Sequence, residues 1–127
     1  MADDQIETLK LPPHSVEAEQ SLLGGLLIDN EGFDKVSDII STKDFYRHDH
    51  QTIFKHIFKV LEANQPADII TVGESLEKNN ELTTVGGLAY LGLLAENTPT
   101  SANIRGYATI VRDRSIMRNL VQVGSDI

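Results

Sequence analysis

Two glycines inside an apolar, helix-forming run constrain this chain more than any other feature. Residues 11–28 read LPPHSVEAEQSLLGGLLI. Pro12 and Pro13 predict an extended lead-in, because Pro13 lacks an N–H and a residue preceding proline avoids the helical region. Ser15 stands where an N-cap hydroxyl is wanted. Glu17 and Glu19 fall in the first turn, where the positive end of a helix favours carboxylates. Val16, Leu23 and Leu27, with Leu22 and Leu26 alongside, form an apolar stripe at helical spacing. Gly24 and Gly25 interrupt that helix at a cost of about 1 kcal/mol each relative to alanine. A helix that keeps both implies that another backbone comes close there, which is a packing signature rather than a catalytic one.

The rest of the chain reads as further helices joined by short loops. Residues 1–14 form a polar, flexible tail without periodicity. Asp29-Asn30 is a turn, with Asn30 as cap of a short second helix carrying Phe33, Val36, Ile39 and Ile40; Ser41-Thr42-Lys43-Asp44 breaks it. A third helix runs from about Asp49 to Ala63 on the spacing of Ile53, Ile57 and Leu61, and Asn64-Gln65-Pro66 stops it. Ala67-Asp68-Ile69-Ile70 has the look of a strand fragment with nothing to pair with. Thr71 and Glu74 match a capping box that opens a short helix to about Asn79. Gly86-Gly87 leads into LAYLGLLAE, a fifth helix ended by Asn97-Thr98-Pro99. Thr100 or Ser101 caps a long final helix through Ile104, Tyr107 and Val111. Its later apolar residues, Ile116, Met117, Leu120, Val121, Val123 and Ile127, have too few partners upstream, so the chain reads as truncated there. The expected fold is all-α, a compact bundle of about six helices.

Composition narrows the function. At 127 residues one domain is expected, burying roughly two-thirds of its unfolded surface. There is no cysteine, hence neither a disulfide framework nor a thiolate metal site. The acidic start MADDQIETLK is unlike a signal peptide, and no apolar run approaches the length that spans a bilayer, so a cytoplasmic chain is expected. A net charge of −8 opposes a large nucleic-acid footprint. The charge is uneven. Residues 101–127 hold four arginines against Asp113 and Asp126, a balance of +2, leaving −10 on the first hundred residues. Arg112, Arg114 and Arg118 are therefore candidates for a basic partner face, against the plainer reading of a solvated helix surface.

No motif carries chemistry. His48-Asp49-His50, with His56 beyond, is the densest set of potential metal ligands, but ligating histidines on a helix prefer i, i+4 spacing. Asp49 reads more simply as an N-cap, and His14 as a half-exposed structural residue. Gly87 and Gly92 have the spacing of a phosphate-binding loop, yet Leu93-Leu94 follows where Lys-Ser or Lys-Thr is required. Glu17 and Glu19 lie two apart and diverge, so they make no acid/base pair. Phe45, Tyr46, Phe54, Phe58, Tyr90 and Tyr107 read as core rather than as a stacking platform for bases. We therefore expect no catalytic, cofactor-binding or metal-binding residue in this chain.

Four collinear segments resemble the N-terminal domain of bacterial DnaB-type replicative DNA helicases: LPPHSVEAEQSLLGGLLIDN, DFYRHDHQTIF, PADIITVGESLE and VGGLAYLGLLAENTPTSANIRGYATIVRDRSIMRNL, together covering roughly residues 9–121. The resemblance implies a helical collar domain over residues 15–110 and the start of a helical hairpin over 111–127, with the motor domain absent. It implies a parent protein that is a ring hexamer, consumes ATP with Mg2+ in its motor, and unwinds DNA 5′ to 3′ at the replication fork. It also implies partners: a second N-terminal domain, the other subunits of the hexamer, primase and, as a further candidate, a helicase loader, with DNA held mainly by the motor and no membrane involved. In that frame Ile116, Leu120, Val121 and Val123 are expected to face a neighbouring subunit or hairpin, while Gly24, Gly25, Gly86, Gly87, Thr71 and Glu74 are structural. The alternative is a free-standing helical adaptor similar to the helicase-binding domain of primase. A DNA-binding module and a small helical enzyme rank below both, for want of a basic recognition helix and of a site.

Overall fold

Helix α1 (Val16–Ile28) starts where Ser15 Oγ accepts the Ala18 N–H at 3.2 Å. Leu22 through Leu27 are then buried without interruption. The helix is therefore wrapped on every side rather than along one stripe, as expected of a helix apolar all round. This is a computed structural model, and it describes residues 11–98 and 103–126. The sequence readings for residues 1–10 and for a cap at Thr100 or Ser101 lie outside the described residues. After α1 come α2 (Glu31–Val36), a 3₁₀ turn (Thr42–Asp44), α3 (His48–Glu62), α4 (Ile69–Lys78), α5 (Gly87–Glu96) and α6 (Ile104–Asp126). The described residues form an all-α bundle of six helices with no strand among them.

Contacts along α1 set the helix directions. Gln20 meets Tyr90 and Gly24 lies against Leu94 and Thr98, so α5 runs parallel to α1. Gly32, just past the end of α1, packs on Ile104, and Pro13, just before its start, bonds Arg118, so α6 runs antiparallel. Ile104, Ala108, Val111 and Ser115 form the buried stripe of α6, at spacings of four, three and four. That stripe passes residue 110 without a break in the helix. Ile53, Ile57 and Val60 of α3, and Val72 and Leu76 of α4, complete the core.

Helix α2 ends at Val36, short of Ile39 and Ile40, and three caps also depart from the sequence reading. Helix α4 begins at Ile69, not at Thr71: Asp68 is the N-cap, accepting the Ile70 and Thr71 N–H groups at 2.9 Å each, and Thr71 Oγ1 accepts the Asp68 N–H in return. The box is thus Asp68/Thr71 rather than Thr71/Glu74, Glu74 is exposed, and the supposed strand at residues 67–70 is the cap and first turn of a helix. Asp caps better than Thr, and the earlier start also places Ile69 against the core. Second, Asn30 does not cap α2. Its amide bonds the Ala67 carbonyl at 2.8 Å and accepts the Ala67 N–H at 2.9 Å, tying the end of α1 to the loop before α4. Third, Arg47 occupies the cap position of α3, and Asp49 sits inside the first turn.

The glycines divide by cause. A Cβ on Gly24 would fall on Thr98 Oγ1 and the Leu94 carbonyl, so the close approach is real packing against α5 and the residues just after it. Gly25 is buried beside it. Gly86 and Gly87 both serve conformation, with left-handed φ values of 106° and 72°; a Cβ on Gly86 would also fall 2.7 Å from the Tyr90 Cβ, whereas one on Gly87 would meet nothing within 4 Å. Replacing Gly24 by Ala is expected to destabilise the domain by about 1–3 kcal/mol through overpacking. Gly92, also mid-helix but with open space at its Cβ, is expected to gain up to about 1 kcal/mol as Ala. Urea unfolding of the two variants checks the contrast.

Candidate functional site

Helix α6 carries the surface that distinguishes this domain from a plain bundle. After Ser115 its core stripe ends, and the large apolar residues move off that line round the helix. Ile116, Leu120 and Val123 repeat at i, i+4 and i+7, with Met117 and Val121 alongside, and all five are exposed, Leu120 to 66%. Such a row of large apolar side chains along one helix face is the form an association surface takes. Of the four residues singled out from sequence, Ile116, Leu120 and Val123 share that row, and Val121 is exposed further round the helix.

The arginines do not form one free basic face. Arg112 donates to the Ile39 carbonyl at 3.1 Å. Arg118 donates to the carbonyls of Pro13 at 2.9 Å and Asp44 at 2.7 Å, and lies over the Tyr46 ring. Arg114 is half-buried. Charge counting missed these commitments because the acceptors are backbone carbonyls, which leave no mark in the sequence.

A buried polar network at the start of α1 was also missed. Glu19 is 1% exposed and His50 fully buried. The Glu19 carboxylate accepts the Tyr46 N–H at 2.7 Å and the Arg47 N–H at 3.4 Å, and pairs with His50 Nδ1 at 2.7 Å. His50 Nε2 meets the Tyr90 hydroxyl at 2.7 Å, which also accepts from Gln20. Arg47 lies over the Tyr90 ring and is clamped by Asp49, whose hydrogen bonds hold the guanidinium still more firmly charged. A signal existed: Glu19 stands three after Val16 and four before Leu23, inside the apolar stripe, and His50 stands three before Ile53. A polar residue on a core face is buried only with its partners.

His56 holds a second tie, between Ser75 at 2.7 Å and Glu81 at 3.0 Å, and its hydrogen bond keeps the Glu81 carboxyl below the usual carboxylate range. His48 is exposed and His14 stacks on Tyr46 at 4.2 Å, so the histidines are dispersed. Among the described residues no group of three or more His, Cys, Asp or Glu is placed to hold a metal ion. Phe45 and Phe54 are core and pack ring against ring, whereas Phe58 is 43% exposed. No described helix is long and apolar enough to cross a membrane.

With this geometry in view, the sequence pattern of the DnaB-like helicase N terminal domain matches residues 11–113. The chain belongs to that family. It is 46% identical over 125 residues to the replicative DNA helicase DnaB of Buchnera aphidicola subsp. Baizongia pistaciae, and 46% identical over 117 residues to that of Pasteurella multocida. These matches cover 98% and 92% of this chain but only 27% and 25% of those proteins, so the chain spans about a quarter of their length. The crystal structure of the N-terminal domain of DnaB helicase from Mycobacterium tuberculosis superposes with a TM-score of 0.89 at 36% identity, covering 91% of this chain and 84% of that one. The likeness therefore extends over nearly the whole bundle.

Within this DnaB-like domain the network is structural, and its loss has a size. His50→Ala leaves Glu19 and Tyr90 without their shared partner, and is expected to destabilise the domain by about 3–5 kcal/mol. His48→Ala, on the exposed side of the same turn, is expected to change stability by less than about 0.5 kcal/mol. Chemical denaturation of the pair measures both.

Proposed function

We propose that this chain is the assembly and primase-docking domain of a hexameric, ATP-dependent 5′–3′ DNA helicase acting in the cytoplasm at the replication fork. What supports the reading most is the row Ile116, Leu120, Val123, with Met117 and Val121, exposed on α6 beyond the end of its core stripe. The relatives extend well beyond the matched quarter, and we assign ATP, Mg2+ and most DNA contact to that remainder. This domain acts by surface and geometry. Pairing with a second copy biases how a ring closes, and repeated docking sites raise the local concentration of primase, and of a helicase loader, beside the fork.

Two measurements test this. Leu120→Asp places a charge in the row and is expected to weaken self-association at least about tenfold, in keeping with the burial of one leucine side chain. Sedimentation equilibrium reads the association, and circular dichroism is expected to show the helix content unchanged. Unaltered association, or loss of the fold, would contradict the assignment of that face. Calorimetric titration with the C-terminal domain of primase from the same organism is expected to show saturable binding; no binding would remove primase docking from residues 1–127.

A further inference from the structure

We propose that Arg118 is a positioning residue that sets how α6 leaves the bundle, and so where the row Ile116, Leu120, Val123 points. Only the last step rests on the assembly reading. The need for such a residue is plain from burial. Ser115 is the last buried residue of α6, and residues 116–124 are exposed except for Arg118, which is half-buried. A helix running more than two turns past its final core contact opens locally unless something else holds it.

Arg118 meets three groups, each restricted in where it can lie. The first is the carbonyl of Pro13, on a lead-in whose backbone is restricted by Pro12 and Pro13. The second is the carbonyl of Asp44. The Asp44 carboxylate is buried, accepting from Ser41 N at 2.8 Å and from Ser115 Oγ at 2.8 Å, so the 3₁₀ turn is bolted to α6 one turn before Arg118. The third is the Tyr46 ring, 5.5 Å from the guanidinium carbon; Tyr46 is stacked on His14 and its N–H is fixed by buried Glu19. A planar guanidinium bonds two carbonyls and packs over a ring at once, which an ammonium does not. Arg105 reaches the Lys35 carbonyl and pairs with Asp38 at 3.6 Å, and Arg112 reaches the Ile39 carbonyl, both from exposed positions on the earlier, core-bound part of the helix. The arrangement therefore converts a frayed end into a rigid projection.

The plainer account is that Arg118 merely covers apolar surface with its stem, and lysine would then serve as well. Amide hydrogen exchange on the full chain, at a concentration where it sediments as a single copy, separates the two. In Arg118→Ala and in Arg118→Lys the amides of residues 116–124 are expected to exchange at least about tenfold faster, equivalent to about 1.4 kcal/mol, while those of residues 53–57 keep their protection. Self-association at higher concentration is expected to weaken in both variants. Unchanged exchange in the alanine variant, full protection in the lysine variant, or loosening that spreads to residues 53–57 would each overturn the proposal; so would local loosening with undiminished association. Failure of the assembly reading shows separately, as a parent chain that never associates, and exchange alone then decides whether Arg118 holds the helix.

Discussion

A single buried carboxylate organises this domain. Taking a carboxylate out of water is costly unless its acceptor sites are filled, so the donors of Glu19 have little freedom in where they lie. Two of them are the Tyr46 and Arg47 amides, which brings the entry of α3 against the first turn of α1. The third partner is His50, whose other nitrogen reaches Tyr90 on α5. One side chain thus relates α1, α3 and α5, and the same Tyr46 that it anchors becomes the ring under Arg118. The apolar core supplies most of the driving force for folding, but apolar contact alone is non-directional; the Glu19 network selects one arrangement of helices among those a core of leucines and isoleucines would tolerate.

Much of the architecture was legible because it follows from local rules. The order of helices, the Ser15 cap and the close approach at Gly24 come from spacing, capping chemistry and the absence of a Cβ. What escaped came from groups that leave no local trace. Asp68/Thr71 and Thr71/Glu74 are overlapping capping patterns, and the choice between them was made in part by Asn30 gripping Ala67 from across the chain. The His48-Asp49-His50 string invited a metal reading, yet alternate residues on a helix face different ways, and only His50 turns inward. Arg112 and Arg118 looked like surface charge because their carbonyl acceptors are invisible to composition. Glu19 was the avoidable miss, since a carboxylate at a stripe position already asks for buried donors.

The functional reading follows the same division between inside and outside. Titratable groups of the described interior are engaged with one another, with serine hydroxyls or with backbone. Outside, one helix changes face half-way along: its first half belongs to the core, and its second half carries apolar residues outward on the same rigid rod. The chain belongs to the DnaB-like helicase N-terminal family, and the relatives it matches are about four times as long.

Glu19 itself offers the most direct test of what fixes the bundle. Equilibrium urea unfolding of Glu19→Gln, which keeps the volume but sets an amide donor against backbone donors, is predicted to show a loss of about 2 kcal/mol or more with the slope of the transition unchanged. A variant as stable as the parent to within about 0.5 kcal/mol would show that the helices find this arrangement by apolar packing alone, and that the buried carboxylate does not organise the domain.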